Sequence, residues 1–456
     1  MPTKAPHRIA TLARTSSIAG SLTVLRTSSF QRYLAAGIAT TSGLWLFETG
    51  LFWEALVKTG AATSVGILLS ALVVPFLVIL VPAGVLADRV GPKPLLLVSQ
   101  LAWVAIIVVG ALIAQLGLIT FPLILVLALA EGIFDALWAI PAQMMFARVV
   151  ERRLMANAIV LSGLQVAFGR LFGGSLAGAL LVWGGLPMTF TAGAVCVGIG
   201  AIAMWGLKDQ SPPSATTTRP PAGRPPRFEV VNWIKQKPEV LSLIGLGASA
   251  ALFAFGYVAV LPVVSRDLIH AGPGGLGLMT AAGGVGVLVT VLFGDVLGRR
   301  FGRGFTLTAS VGLAAASIAV IGISSSLLVS VCFAGLLAAS LNSYFLTNNL
   351  LLQAIAPSRL RGRVLSIYGL IFWAVLPMGS LGASFLVDGI GVRAVLWIMA
   401  GLTFVSVSLI AAVYRTLVAL DVDPNGVITS RSRRPATIVP LVVAAEQPTG
   451  PSEGPL

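Results

Sequence analysis

Apolar residues run in long stretches from about residue 33 to about residue 415, each roughly 18 to 26 residues long and divided from the next by a few Gly, Pro or charged positions. A stretch of that length crosses a hydrocarbon core about 30 Å thick as an α-helix. Lipid offers open backbone groups no partner, so helices are required. The pattern predicts six spans at 33–57, 63–87, 94–115, 119–147, 157–182 and 187–206, and six more at 239–264, 274–298, 305–323, 327–352, 364–388 and 393–415.

Polar segments divide the chain further. Residues 207–238 hold three Pro-Pro pairs among Arg219, Arg224 and Arg227, too polar for a span, and read as a linker between an N-terminal half (33–206) and a C-terminal half (239–415). Residues 1–32 read as a cytoplasmic tail. Residues 416–456, with Arg431, Arg433 and Arg434 followed by Pro, Gly and Glu, lack a helical period and are expected to be a disordered cytoplasmic tail.

Composition confirms the solvent. The chain has 456 residues, 57% hydrophobic and 10% charged, against about 25% charged in soluble domains. A net charge of +14 in a soluble protein would suggest nucleic acid. Here the topology puts all of the 30 Lys and Arg residues on one side except Lys58, Arg266, Arg393 and the intramembrane Arg170. That asymmetry makes the basic side cytoplasmic and removes nucleic acid as a partner. Cys196 and Cys332 fall in different halves, and His7 and His270 lie far apart, so neither a disulfide nor a metal site is expected. No G-x-x-x-x-G-K-[ST] loop is present, and no enzyme site or cofactor is expected.

The halves resemble each other. The loop after span two reads Gly-Val-Leu-Ala-Asp-Arg-Val-Gly-Pro-Lys (84–93), and the loop after span eight reads Asp-Val-Leu-Gly-Arg-Arg-Phe-Gly-Arg-Gly (295–304). Superposing them places Leu86, Arg89 and Gly91 on Leu297, Arg300 and Gly302. Nearly the same displacement aligns Arg153-Leu154 with Arg359-Leu360. Two such matches point to a duplicated six-helix unit.

Residues 84–93 resemble the loop signature of the major facilitator superfamily, G-x-L-a-D-R-x-G-r-[KR], at Gly84, Leu86, Ala87, Asp88, Arg89, Gly91 and Lys93, with Pro92 at a usually basic position. Arg152–Ala158 leading to Gly169–Gly178, and Pro357–Val364 followed by Pro377–Gly382, resemble the branch of the enterobactin exporter and related macrolide and multidrug exporters. The stretch 169–178 is also similar to an antiporter motif, with Gly174 in place of its proline and Ala177 of its penultimate glycine. The resemblance implies an all-α membrane protein of twelve transmembrane helices in two pseudo-symmetric six-helix halves, the major facilitator fold. It also implies a conformational-switch loop at Gly84, Asp88, Arg89, Gly91 and Lys93. Asp88 would meet the positive N-terminal end of span eleven near Arg363 and Val364 and stabilise the outward-open state. Gly84 would permit close approach there, and Gly169, Gly173 and Gly178 would pack helices backbone to backbone.

Charges deep in a span are costly and are functional candidates by default. Four stand near mid-membrane: Glu48 in span one, Glu131 and Asp135 one turn apart in span four, and Arg170 in span five. Two or three acids around one arginine suggest a proton switch, in which Arg170 holds a carboxylate ionised until protonation releases the pair. A static salt bridge between spans four and five is the alternative reading. The C-terminal half offers instead Asn342, Asn348, Asn349 and Gln353. Trp45, Phe134, Trp138, Tyr257, Asn342 and Trp373 are candidates for the substrate cavity.

The expected function is secondary active transport by alternating access, as proton-coupled efflux of hydrophobic or amphiphilic small molecules of drug or siderophore type. A proton-coupled importer, a lipid transporter and a transport-dead receptor or scaffold are the alternatives. Expected partners are a small-molecule substrate, protons and the lipid bilayer, with a monomer in the cell membrane and both termini cytoplasmic.

Overall fold

The structure is a computed structural model that describes residues 27–150, 154–207, 229–357, 359–414, 420–422 and 428–430. Most of both tails, most of the linker, and Arg152 and Arg153 of the exporter-like stretch lie outside the described residues.

Six long helices form the first half: α1 (Ser28–Thr59), α2 (Thr63–Val90), α3 (Pro92–Gln115), α4 (Phe121–Val149), α5 (Met155–Trp183) and α6 (Gly185–Trp205). A short α7 (Glu229–Lys235) precedes the second half, which comprises α8 (Pro238–Phe253), α9 (Tyr257–Val263), α10 (Gly272–Phe301), α11 (Arg303–Ile323), α12 (Leu327–Ile355), α13 (Arg361–Ile390) and α14 (Val392–Val413). Eleven helical segments among the described residues are long and apolar enough to cross a membrane, with α8, α9 and the turn after them counting as one. The twelfth span is α1, longer still at 32 residues but diluted by Arg32, Glu48, Glu54 and Lys58, and packed along both α5 and α6.

Most boundaries fall within a few residues of the sequence reading, and the seventh span is where the two differ. A single helix over 239–264 was expected. Instead α8 stops at Phe253, α9 restarts at Tyr257, and Val264–Leu268 winds as a π-turn. Gly256 lies in the break, and Pro262 lacks the N–H that would continue the ladder through α9. Within the C-terminal tail, Leu420–Val422 and Ile428–Ser430 pair as a small antiparallel ribbon, where no regular structure was expected.

The duplicated loops adopt one conformation. Gly91 ends α2 with φ 91° and ψ 157°, and its sequence counterpart Gly302 ends α10 with φ 93° and ψ 145°. Residues with a Cβ rarely occupy that region, so the glycine match records a shared chain reversal.

The halves meet along two seams, α5 against α10 and α2 against α13. For reference, the linker end of the bundle is where α6 finishes and α8 begins, and the far end is where α1 hands over to α2. The α5–α10 seam runs nearly the whole way. A Cβ on Gly178 would lie 2.8 Å from the Gly277 Cα, one on Gly284 2.5 Å from the Leu171 nitrogen, and one on Gly163 2.8 Å from the Val291 side chain. The α2–α13 seam is tight at the far end, where Gly66 sits against Ser380 and Ser384, and continues as far as a Phe76–Trp373 ring contact at 5.5 Å. Beyond it, Val78, Val81, Val85 and Asp88 on α2 are exposed.

Candidate functional site

The acids expected at mid-membrane come together. Glu131 lies on α4 beside Gly132, and a Cβ on Gly132 would meet the Leu72 carbonyl oxygen at 2.2 Å, so α2 rides directly on α4 at this level. Glu131 is 3% exposed and lies beside Glu48 of α1, near enough for the two carboxyl groups to interact. Asp135, one turn further along α4, is near enough to act electrostatically on both. Aromatic residues wall the cluster: Trp103 of α3 donates its indole N–H to the Glu131 backbone carbonyl at 3.4 Å and packs on Trp138, ring centroids 5.9 Å apart.

Arg170 departs from expectation. No ion pair joins it to Glu48, Glu131 or Asp135 among the described residues. Its guanidinium stacks over the Trp45 ring at 4.9 Å, crosses Gly283 of α10, and donates to the Tyr257 hydroxyl at 2.8 Å. Its charge is still felt by Glu48. The cause is the α5–α10 contact: with hydrogen alone at Gly283, the side chain lies across the seam and reaches α9. Arg170 Nε, Glu131 Oε2 and Trp138 Nε1 are buried without protein partners among the described residues, so polar capacity remains on both sides of the cluster.

The remaining cavity candidates divide. Tyr257 and Trp45 hold Arg170, and Trp138 faces Trp103. Phe134 packs against the hydrophobic core. Asn342 donates to the Thr290 hydroxyl at 2.6 Å, within the second half. Trp373 belongs to an aromatic group with Phe372, Phe255 and Phe345 and touches Phe76 of the first half. Sequence reasoning passed over Phe76 and Phe372, because isolated phenylalanines in apolar runs carry no mark of what they face. Two grooves of about 600 and 530 Å³ lie elsewhere, lined by Gln115, Pro187, Thr191 and Val195, and neither includes a residue of the acidic cluster.

The small residues of α5 split likewise. Gly169 lies against Thr41, and Gly173 against Ser42 and Trp45, all on α1, whereas Gly178 meets Gly277 across the seam. In the switch loop, Gly84 faces Ile140 of α4 rather than α13. Asp88 and Arg89 are exposed and make no hydrogen bond or ion pair among the described residues. Lys93 donates to the carbonyls of Trp205 (3.0 Å) and Leu207, tying the loop to the C-terminal end of α6.

At the far end the halves are bonded. Arg266 of the π-turn donates to the Leu56 and Gly60 carbonyls, both at 3.1 Å, and Asp388 of α13 accepts from the backbone N–H of Ala62 at 2.6 Å and of Thr63 at 2.8 Å. The halves are thus bonded at this end, whereas α2 beyond Phe76 presents exposed residues at the other.

The profile of a family described as transmembrane secretion effector, a major facilitator branch, matches residues 19–446. The chain belongs to that family. It is 26% identical over 373 residues to the multidrug efflux pump Tap of Mycolicibacterium fortuitum, covering 79% of this chain and 90% of the pump. It is 23% identical over 258 residues to a staphyloferrin A transporter of Staphylococcus aureus (strain NCTC 8325 / PS 47), covering 56% of this chain and 64% of the relative. In fold it is similar to a bacterial homologue of the human lysosomal transporter Spinster in an inward-facing, unoccupied conformation, with TM-score 0.64, 16% identity, and 88% of this chain and 98% of that one covered. It is also similar to the nucleoside transporter NupG, with TM-score 0.65, 12% identity, and 85% and 99% covered. The twelve-helix, two-half architecture is thus that of a major facilitator transporter.

Proposed function

We propose that this transporter is a proton-coupled exporter of hydrophobic or amphiphilic small molecules, of drug or siderophore type, that works as a monomer by alternating access. The linker end, where the basic residues gather, faces the cytoplasm of a bacterial cell. The name of the multidrug efflux pump favours export, and the names of both relatives favour that substrate range.

The observation that carries the reading is the gathering of Glu48, Glu131 and Asp135 in one buried cluster, with no ion pair to Arg170 among the described residues. Bare carboxylates side by side in a low-dielectric core repel one another. Three acids stand here with one guanidinium, and that guanidinium is turned toward the other half. Protons are the simplest counter-charge for such a group in a medium that penalises bare charge. Loading or losing one would change how strongly the cluster draws Arg170 away from Tyr257. Asp88 and its loop would then engage α13 when the linker end closes.

The test is proton movement in proteoliposomes carrying a pH gradient, followed with a lumenal pH dye while candidate drugs, dyes and siderophores are added. Compound-dependent proton efflux that vanishes in Asp135→Asn supports antiport. Transport of a compound with no proton movement sinks the coupling.

A further inference from the structure

Helices α2 and α13 run antiparallel along their seam, and both end alike. Asp88-Arg89-Val90-Gly91 closes α2 and Asp388-Gly389-Ile390-Gly391 closes α13. Each aspartate stands two residues before the last helical position, and each closing glycine has positive φ (91° and 84°) with ψ of 157° and 155°. Neither helix caps its own start. Ala62 precedes α2 and Leu360 precedes α13, and no side chain bonds the first turn from either position. Each helix start carries a partial positive charge with no side-chain cap from the residue that precedes it.

At the far end that arrangement is occupied. One Asp388 oxygen accepts the Ala62 N–H and the other accepts the N–H and hydroxyl of Thr63, so α2 receives its cap from the opposite half. Arg266 does the converse for α1, donating to the Leu56 and Gly60 carbonyls at its C-terminal end, with Asp267 holding its guanidinium through bonds of 2.6 and 2.9 Å. Anion at helix start and cation at helix end grip the same hairpin, each with the sign the helix dipole favours. At the linker end Asp88 has no partner among the described residues.

We propose that Asp88 and Asp388 are reciprocal trans-caps. Asp388, with Arg266, is the positioning residue that holds the far end shut, and it lets go when Asp88 engages α13. A lone Asp88 switch would bias the cycle one way; the pair makes the two closed ends alternatives of similar chemistry. This rests on alternating access and not on proton coupling.

The experiment uses full-length protein in lipid nanodiscs, with Cys196→Ala and Cys332→Ala, and spin labels on Leu118→Cys and Leu328→Cys, exposed far-end positions in opposite halves. Without substrate or gradient, Asp388→Asn should lower the short-distance population relative to the long one about tenfold, the loss of roughly one charge-assisted hydrogen bond. Arg266→Gln should move it the same way, and supplies the reading if Asp388→Asn does not fold. Asp88→Asn should move it oppositely, and Asp88→Asn with Asp388→Asn should return it close to the unsubstituted distribution. Unchanged distances in Asp388→Asn and Arg266→Gln, or a double variant that stays shifted, overturns the proposal. A failure of proton-coupled flux would leave these distances, and this inference, untouched.

Discussion

The Arg170 guanidinium donates to the Tyr257 hydroxyl across the joint between the halves, and nine-tenths of the arginine is buried while it does so. A hydrogen bond to a charged group contributes about 1.5–3 kcal/mol. Tyr257→Phe keeps the ring and removes that contribution. It should shift the equilibrium away from the far-end-closed state by ~10- to 100-fold, read from the far-end spin-label distances. An unchanged distribution would mean that the bond persists in both states and carries no bias.

Glu131→Gln and Asp135→Asn separate a proton switch from a static strut. If the cluster couples, proton-driven uphill efflux falls by at least ~10-fold while substrate counterflow at equal pH stays near normal, because only the driven mode needs a proton to bind and leave. Equal loss in both modes identifies a structural role. Initial rates in proteoliposomes make the comparison.

Gly178→Val introduces a branched side chain where the Gly277 Cα lies 2.8 Å from a Cβ position. Backbone on both sides cannot step aside, so the closed far end should be destabilised by ~1–3 kcal/mol and efflux should fall in proportion. Gly198→Val is the control, since a Cβ there meets nothing within 4 Å. Matching losses in the two variants would show a general helix effect instead of a seam effect.

Lys93 belongs to the loop signature, yet its observed work is local. It feeds the terminal carbonyls of α6, where a cation is favoured by ~0.3–1 kcal/mol. Lys93→Met should lower the midpoint of thermal unfolding in detergent, and Lys93→Arg should retain it. No difference between Met and Arg would assign the lysine to the transport cycle alone.

How much was legible in the sequence depended on the length scale of the signal. Helix spans were legible because an apolar run of bilayer length admits one structure. The duplicated turns at Gly91 and Gly302 were legible because glycine there is a backbone requirement. The meeting of Glu48 with Glu131 was foreseeable from depth in the membrane. Arg170's choice of Tyr257 over the acids was not, because it depends on Gly283 leaving room across the joint, and nothing local distinguishes that glycine from its neighbours Gly284 and Gly286. Asp388 escaped notice for a similar reason: at the end of a span it reads as an ordinary interfacial charge until the uncapped start of α2 is seen beside it.

The glycine joint between α5 and α10 has a consequence for speed. Side chains that interdigitate on closing must each be frozen into one rotamer, at a cost that reaches about 2 kcal/mol for the longest and is nil for glycine. Gly178 and Gly277 touch with no side chain between them. The far end can therefore shut and reopen without repeatedly ordering and releasing side chains there. That keeps the two resting states close in free energy, which a carrier needs if neither half of its cycle is to become a trap.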